Sequence, residues 1–124
     1  MACDKTTPKC DIKYKYEILP ACCKNNLKEI LKNIDELFTE YKIPYWLDYG
    51  TLLGAVRTGD ILDYDEDCDI GILKQDVDKV LNLACKFLER GLHPTIFGFP
   101  YGMNISFSGI NSLHCDLFFG ALKK

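Results

Sequence analysis

The sequence predicts an α/β (α+β) fold, a small mixed β-sheet flanked by helices, and three patterns carry that expectation. A long stretch after Pro20 repeats its apolar residues with helical period, several short stretches alternate with strand period, and Pro or Gly marks the joins. At 124 residues the chain is long enough for one domain with its own core.

The elements follow in chain order. In "DIKYKYEI" Ile12, Tyr14, Tyr16 and Ile18 share one face at period two, which allows a short strand or a packing arm. Residues 1–19 are therefore read as an N-terminal arm and 20–124 as a single domain. Pro20 opens a helix whose stripe is Leu27, Ile30, Leu31, Ile34, Leu37, Phe38 and Tyr41. Pro44 closes it, and "YWLDY" reads as a strand. After Gly50-Thr51, "LLGAVR" suits one or two helical turns with Thr51 near the N-cap. "CDIGIL" is a second strand. Asp76 is placed to cap a second helix with Val77, Val80, Leu81, Ala84, Phe87 and Leu88 inward, and Gly91 ends it. His93-Pro94 reads as loop. Met103, Ile105 and Phe107 then alternate with polar neighbours, and a Ser-Gly-Ile-Asn-Ser turn leads into "LHCDLFF", which together make a hairpin.

Bulk properties narrow the function. A net charge of −3 gives no broad attraction to nucleic acid or anionic membrane. No apolar run nears the roughly 20 residues of a membrane span, and the polar, lysine-rich start lacks the apolar segment of a signal peptide. The seven cysteines are an odd count with no C-x-x-C pair, so reduced thiols and a cytoplasmic setting are expected.

The unusual segment is Leu47–Leu73, where Asp60, Asp63, Asp65, Glu66, Asp67 and Asp69 crowd between apolar stretches. Strand alternation puts Asp67 and Asp69 on one face and Cys68 and Ile70 on the other; Asp65 joins the first face if the strand begins early. Two carboxylates about 4 Å apart repel by ~4 kcal/mol at an effective dielectric near 20, so a proton or a cation must offset them. Hard oxygen donors on a strand suit Mg2+ or Mn2+. A calcium loop over Asp65–Asp76 is excluded, because Ile70 stands where that loop needs glycine. Asp116, flanked by apolar residues, reads either as a strand-edge aspartate or, beside an Asp-x-Asp strand, as a third metal-facing carboxylate. Gly50-Thr51 opening a helix offers amides, a hydroxyl and the positive dipole end to a phosphate, though a plain helix cap looks the same. Arg57, one of two arginines, has the planar fork that matches phosphate oxygens. His114 falls on the side of Asp116.

These residues resemble a known family. "GTLLGAVRTGDILDYDEDCDIGIL" is similar to the signature of the LicD, fukutin and fukutin-related proteins, a branch of the nucleotidyltransferase superfamily. The likeness covers residues 25–73 well and the rest loosely, and Asp63-Tyr64 stand where the family often has Pro and Trp. It implies a nucleotidyltransferase-like sheet, short at the C-terminal end. It implies Gly50, Thr51 and Arg57 at the donor phosphate, and Asp67, Asp69 and Asp116 as catalytic, metal-binding acids, with Asp65 as a possible further ligand. The activity implied is transfer of a phosphate-containing group from a nucleotide-activated donor, such as a CDP-linked alcohol, to a hydroxyl acceptor such as a glycan. Transfer of a whole nucleotide from a nucleoside triphosphate is the second enzymatic expectation, and a non-catalytic nucleotide-binding module the third.

Overall fold

Helix α1 spans Ala21–Glu40 and follows Pro20, whose extended backbone and fixed φ suit a helix start. A computed structural model describes residues 3–10, 20–48, 67–97 and 102–120, with Asp48 and Asp67 described by their backbone alone. The elements expected at 12–18 and 50–57, and the acidic run 60–66, lie outside the described residues. One face of α1 buries Leu27, Ile30, Ile34 and Phe38 completely. Each such side chain contributes roughly 1.5–3 kcal/mol when removed from water, so tertiary packing, not helix propensity, holds α1 in place.

Strands β1 (Tyr45–Asp48), β2 (Asp67–Leu73), β3 (His93–Phe97), β4 (Gly102–Ser106) and β5 (His114–Gly120) form one five-stranded sheet in the order β1-β2-β5-β4-β3. β2 and β5 run parallel at its centre, and the other pairs are antiparallel. The hairpin expected from 103 to 119 is present as β4–β5. α1 packs on β5 and β2. Cys68, Ile70, Ile72, Met103, Ile105, Cys115 and Leu117 form the buried side of the sheet, alternating along β5 with half-exposed neighbours.

Three expectations are corrected. His93-Pro94 is not loop but the start of edge strand β3, where a proline's missing N–H removes no interior ladder bond. The second helix is broken: a 3-10 turn, Lys74–Asp76, precedes α2 (Val77–Leu81), and α3 (Ala84–Glu89) follows a tight turn closed by Leu83 N–H on Val80 O at 3.0 Å. That turn shifts the helical phase, so Leu83 is buried and Leu88 is 54% exposed. Asp76 does stand at the N-cap of α2, but its side chain caps no amide and lies buried 3.7 Å from Lys79 Nζ.

The described part of the arm is fastened to the domain. Lys5 Nζ donates to Gly91 O at 2.9 Å and Phe107 O at 3.2 Å, and sits 4.6 Å from the Phe107 ring centroid. Ser108 Oγ donates to Lys5 O at 2.8 Å, and the fully buried Asn111 donates through Nδ2 to Asp4 O at 3.0 Å.

Candidate active site on the open sheet face

Register builds the site on the face of the sheet opposite α1. Asp69 of β2 pairs directly with Asp116 of β5, and the same row continues to Asp48 on β1, Asn104 on β4 and Thr95 on β3. Adjacent strands lie about 4.8 Å apart, so the two central carboxylates are neighbours on one face. The row toward the strand starts holds Asp67, His114, Ser106 and His93. Both Asp69 and Asp116 are partly buried; the Asp116 side chain is 18% exposed.

His114 stands over this row with both ring nitrogens facing acceptors. Nδ1 lies 3.0 Å from Ser112 O, and Nε2 lies 3.3 Å from Asp116 Oδ1. A ring carrying a proton on both nitrogens would donate to both at once, and a ring with one proton to either.

The opposite neighbouring row is aromatic: Trp46, Gly71, Phe118, Gly102 and Phe97 across the five strands. The Trp46 indole lies over Gly71, where an added Cβ would come 2.1 Å from Cε2. At Gly102 a Cβ would meet Phe97 Cζ and Leu117 O at 2.4 Å each. The two glycines thus let aromatic rings from both edges fold over the sheet. Phe97 meets Phe118 edge to face, with centroids 5.9 Å apart. Two partly buried acids, a histidine and a group of aromatic rings therefore share one partly exposed face. Such a surface can hold a hard cation at one level and stack a planar ring at the next.

Of the residues singled out in the sequence, the structure brings Asp69 and Asp116 together and sets position 67 two residues from Asp69 on the same strand. Gly50, Thr51, Arg57 and Asp65 lie outside the described residues. Sequence reasoning missed Trp46, Gly71, Phe97, Gly102, Asn104 and Phe118, because nothing local announces which strands will be neighbours. Gly71 inside "CDIGIL" was the available signal, since a glycine in a strand interior marks a close approach.

A family model described as "LicD/FKTN/FKRP, nucleotidyltransferase domain" matches residues 42–123. Human "Ribitol 5-phosphate transferase FKRP" is 32% identical over 131 residues, taking in 93% of this chain and 26% of that protein. Mouse "Ribitol-5-phosphate transferase FKTN" is 36% identical over 95 residues, 74% of this chain and 20% of that protein. The chain thus spans between a fifth and about a quarter of the length of these curated relatives. Among solved structures, the lincomycin-bound lincosamide antibiotic adenylyltransferase LnuA superposes with a TM-score of 0.57 at 25% identity, covering 78% of this chain and 58% of that one.

Proposed function

This chain belongs to the LicD/FKTN/FKRP nucleotidyltransferase-domain family, and on that footing we propose that it transfers a phosphate-containing group from a nucleotide-activated donor to a hydroxyl acceptor. The observation that carries the reading is Asp69 set directly beside Asp116 at the centre of an accessible sheet face. The two relatives named as ribitol-phosphate transferases support a phosphate-bearing alcohol as the group moved, and the family signature suggests a CDP-linked donor and a glycan hydroxyl as acceptor.

The donor set fits a divalent ion: paired carboxylates from two central strands, partly buried, with hard oxygen ligands of the kind Mg2+ and Mn2+ take. Asp69 and Asp116, with Asp67, would hold it. When bound, the ion supplies charge neutralisation at the donor phosphates. Asp116 either completes the ligand set or accepts the proton of the attacking hydroxyl, and His114 orients it from 3.3 Å. Trp46, Phe118 and Phe97 offer the donor's base aromatic rings to pack against. Gly50, Thr51 and Arg57 are assigned to the donor phosphates on the family signature.

Thermal denaturation with CDP or CTP, each with and without Mg2+ or Mn2+, tests the binding step, since a ligand of the folded state alone raises its melting temperature. A rise that needs both nucleotide and metal supports the reading; no rise with any pairing removes it. The adenylyltransferase neighbour supports a second reading, transfer of the nucleotide itself. A nucleotide donor labelled in its base separates the two. Label found on the acceptor marks nucleotidyl transfer, and label left in a free nucleoside monophosphate marks transfer of the phosphoalcohol.

A further inference from the structure

Beyond the carboxylate pair, the open face of the sheet turns polar along β4. Asn104 continues the row of Asp69 and Asp116, and Ser106 continues the row of His114. β4 is an interior strand, where asparagine is disfavoured and β-branched or aromatic residues are usual. Both side chains are partly buried, and among the described residues neither makes a hydrogen bond. Asn104 lies directly beside Asp116 and Ser106 directly beside His114. We propose that Asn104 and Ser106 hold the acceptor, and that they select a polyol or sugar by binding hydroxyls next to the one that attacks. This rests on the transferase reading above and assigns its acceptor side.

Chemistry and placement both point to that side. An asparagine amide offers two donors and an acceptor, and a serine hydroxyl donates and accepts. Such a pair matches sugar hydroxyls, which also do both. Alternate residues of a strand lie about 6.7 Å apart on one face, so the open face has three levels. Trp46, Phe118 and Phe97 form the aromatic one, Asp69 and Asp116 the carboxylate one, and His114, Ser106 and His93 the third. Phosphoryl transfer needs the attacking and leaving oxygens roughly in line across phosphorus. With the donor's base on the aromatic level and its phosphates on the carboxylate level, the attacking hydroxyl arrives from the level of Ser106. The acceptor oxygen bonds to the transferred phosphorus while the bond from that phosphorus to the bridging oxygen breaks. The electron pair of the broken bond leaves with the nucleoside monophosphate, and the hydroxyl proton passes to Asp116 or to water. Asn104 and Ser106, two residues apart on one strand, flank the attacking oxygen and are placed to take its neighbours. A merely solvated sheet face is the plainer account of the two side chains, and it predicts that neither affects the choice of acceptor.

The test uses the full chain with Mg2+ and CDP-ribitol as donor probe, and lets glycerol and 1-propanol compete as acceptors. Both present a primary hydroxyl to the phosphorus, and only glycerol carries neighbouring hydroxyls. The ratio of the two transfer products is independent of how much enzyme is active. Wild type is expected to favour glycerol per primary hydroxyl. Asn104→Ala and Ser106→Ala should each cut that preference roughly 3- to 10-fold, the worth of one hydrogen bond. Both variants should keep the rise in melting temperature that CDP with Mg2+ produces, and Ser106→Thr, which keeps the hydroxyl, should restore the preference. If Asn104→Ala fails to fold, Ser106→Ala decides alone. Transfer to water only, equal use of the two alcohols by wild type, or a wild-type ratio in the variants overturns the inference and leaves the transferase reading standing. Loss of the nucleotide-dependent rise in the variants also overturns it, by placing these residues on the donor side. No nucleoside monophosphate released by wild type removes the transferase reading itself, and the acceptor assignment falls with it.

Discussion

Asp69 and Asp116 are like charges held side by side by the β2–β5 register, and the cost of that arrangement sets the outcome of removing one. Asp116→Asn keeps the shape and deletes a charge, so the variant should lose metal-dependent transfer while its metal-free melting temperature stays level or rises. Enzyme assay beside thermal denaturation in chelator checks both halves, and full activity in Asp116→Asn or Asp69→Asn removes the site assignment. Trp46 is the single tryptophan and covers Gly71. Gly71→Ala should lift the indole off the sheet, shift its emission to longer wavelength and weaken nucleotide binding, all readable by fluorescence titration. Tyr45 titrates on the other side of β1. Burial, with help from its 2.7 Å bond to Asp35, pushes its hydroxyl up to about 12 from an ordinary 10. The folded state therefore holds the phenolic proton more tightly than the unfolded chain, so this contribution to stability is complete below pH 10 and lost as pH rises toward 12. Tyr45→Phe should flatten that part of the melting profile, and a profile identical to wild type would show that another group governs it.

At the scale of elements, two helices end the same way with different residues at the turning position. α1 closes with Ile43 N–H on Phe38 O at 2.8 Å and Lys42 N–H on Thr39 O at 3.3 Å, while α3 closes with Leu92 N–H on Phe87 O and Gly91 N–H on Leu88 O, both 3.0 Å. This pair of bonds needs a left-handed residue after the cap. Gly91 supplies it at φ 80, whereas Lys42 adopts φ 58 with a side chain attached. A left-handed non-glycine residue costs roughly 1–2 kcal/mol, offset in part by glycine's greater unfolded-state freedom. Lys42→Gly should therefore stabilise the protein by about 0.5–1 kcal/mol in urea denaturation. Gly91→Ala should destabilise it by a similar or larger amount, since the new Cβ would also come 3.1 Å from Lys5 Nζ. The same scale shows why some elements were legible in the sequence and others were not. α1 and the alternation of β2, β4 and β5 are dictated by one-sided burial, which leaves a period in the chain. β3 lies at the sheet edge with Ile96 50% exposed and Pro94 inside it, so neither alternation nor composition marks it. The break between α2 and α3 has no Gly or Pro to announce it. The pairing of Asp69 with Asp116 was legible only as two acids in two strands, and the parallel register that joins them is a tertiary fact.

At the scale of the whole molecule, residues 3–10 are tied to parts of the chain about a hundred positions away. Lys5 bridges the turn after α3 to Phe107, and Asp4 O receives the amide of Asn111, whose own oxygen accepts from Leu113 N–H at 3.2 Å. Asn111 is fully buried at the turn that leads into β5, the strand that carries Asp116. Asn111→Ala leaves the Leu113 N–H without its partner and should cost about 1–3 kcal/mol. Lys5→Ala removes two donor bonds and the contact with the Phe107 ring, and should cost less, because the Lys5 side chain is itself partly open to water. If arm and domain form one cooperative unit, the two losses are not independent. Either substitution loosens the same segment, so the second then removes bonds that are already strained or broken. The double variant should accordingly lose less stability than the sum of the single losses, a coupling that a double-mutant cycle in urea resolves when it exceeds ~0.5 kcal/mol. Strictly additive losses would mean that Lys5 and Asn111 each brace their own surroundings and that the arm is a passenger on the sheet.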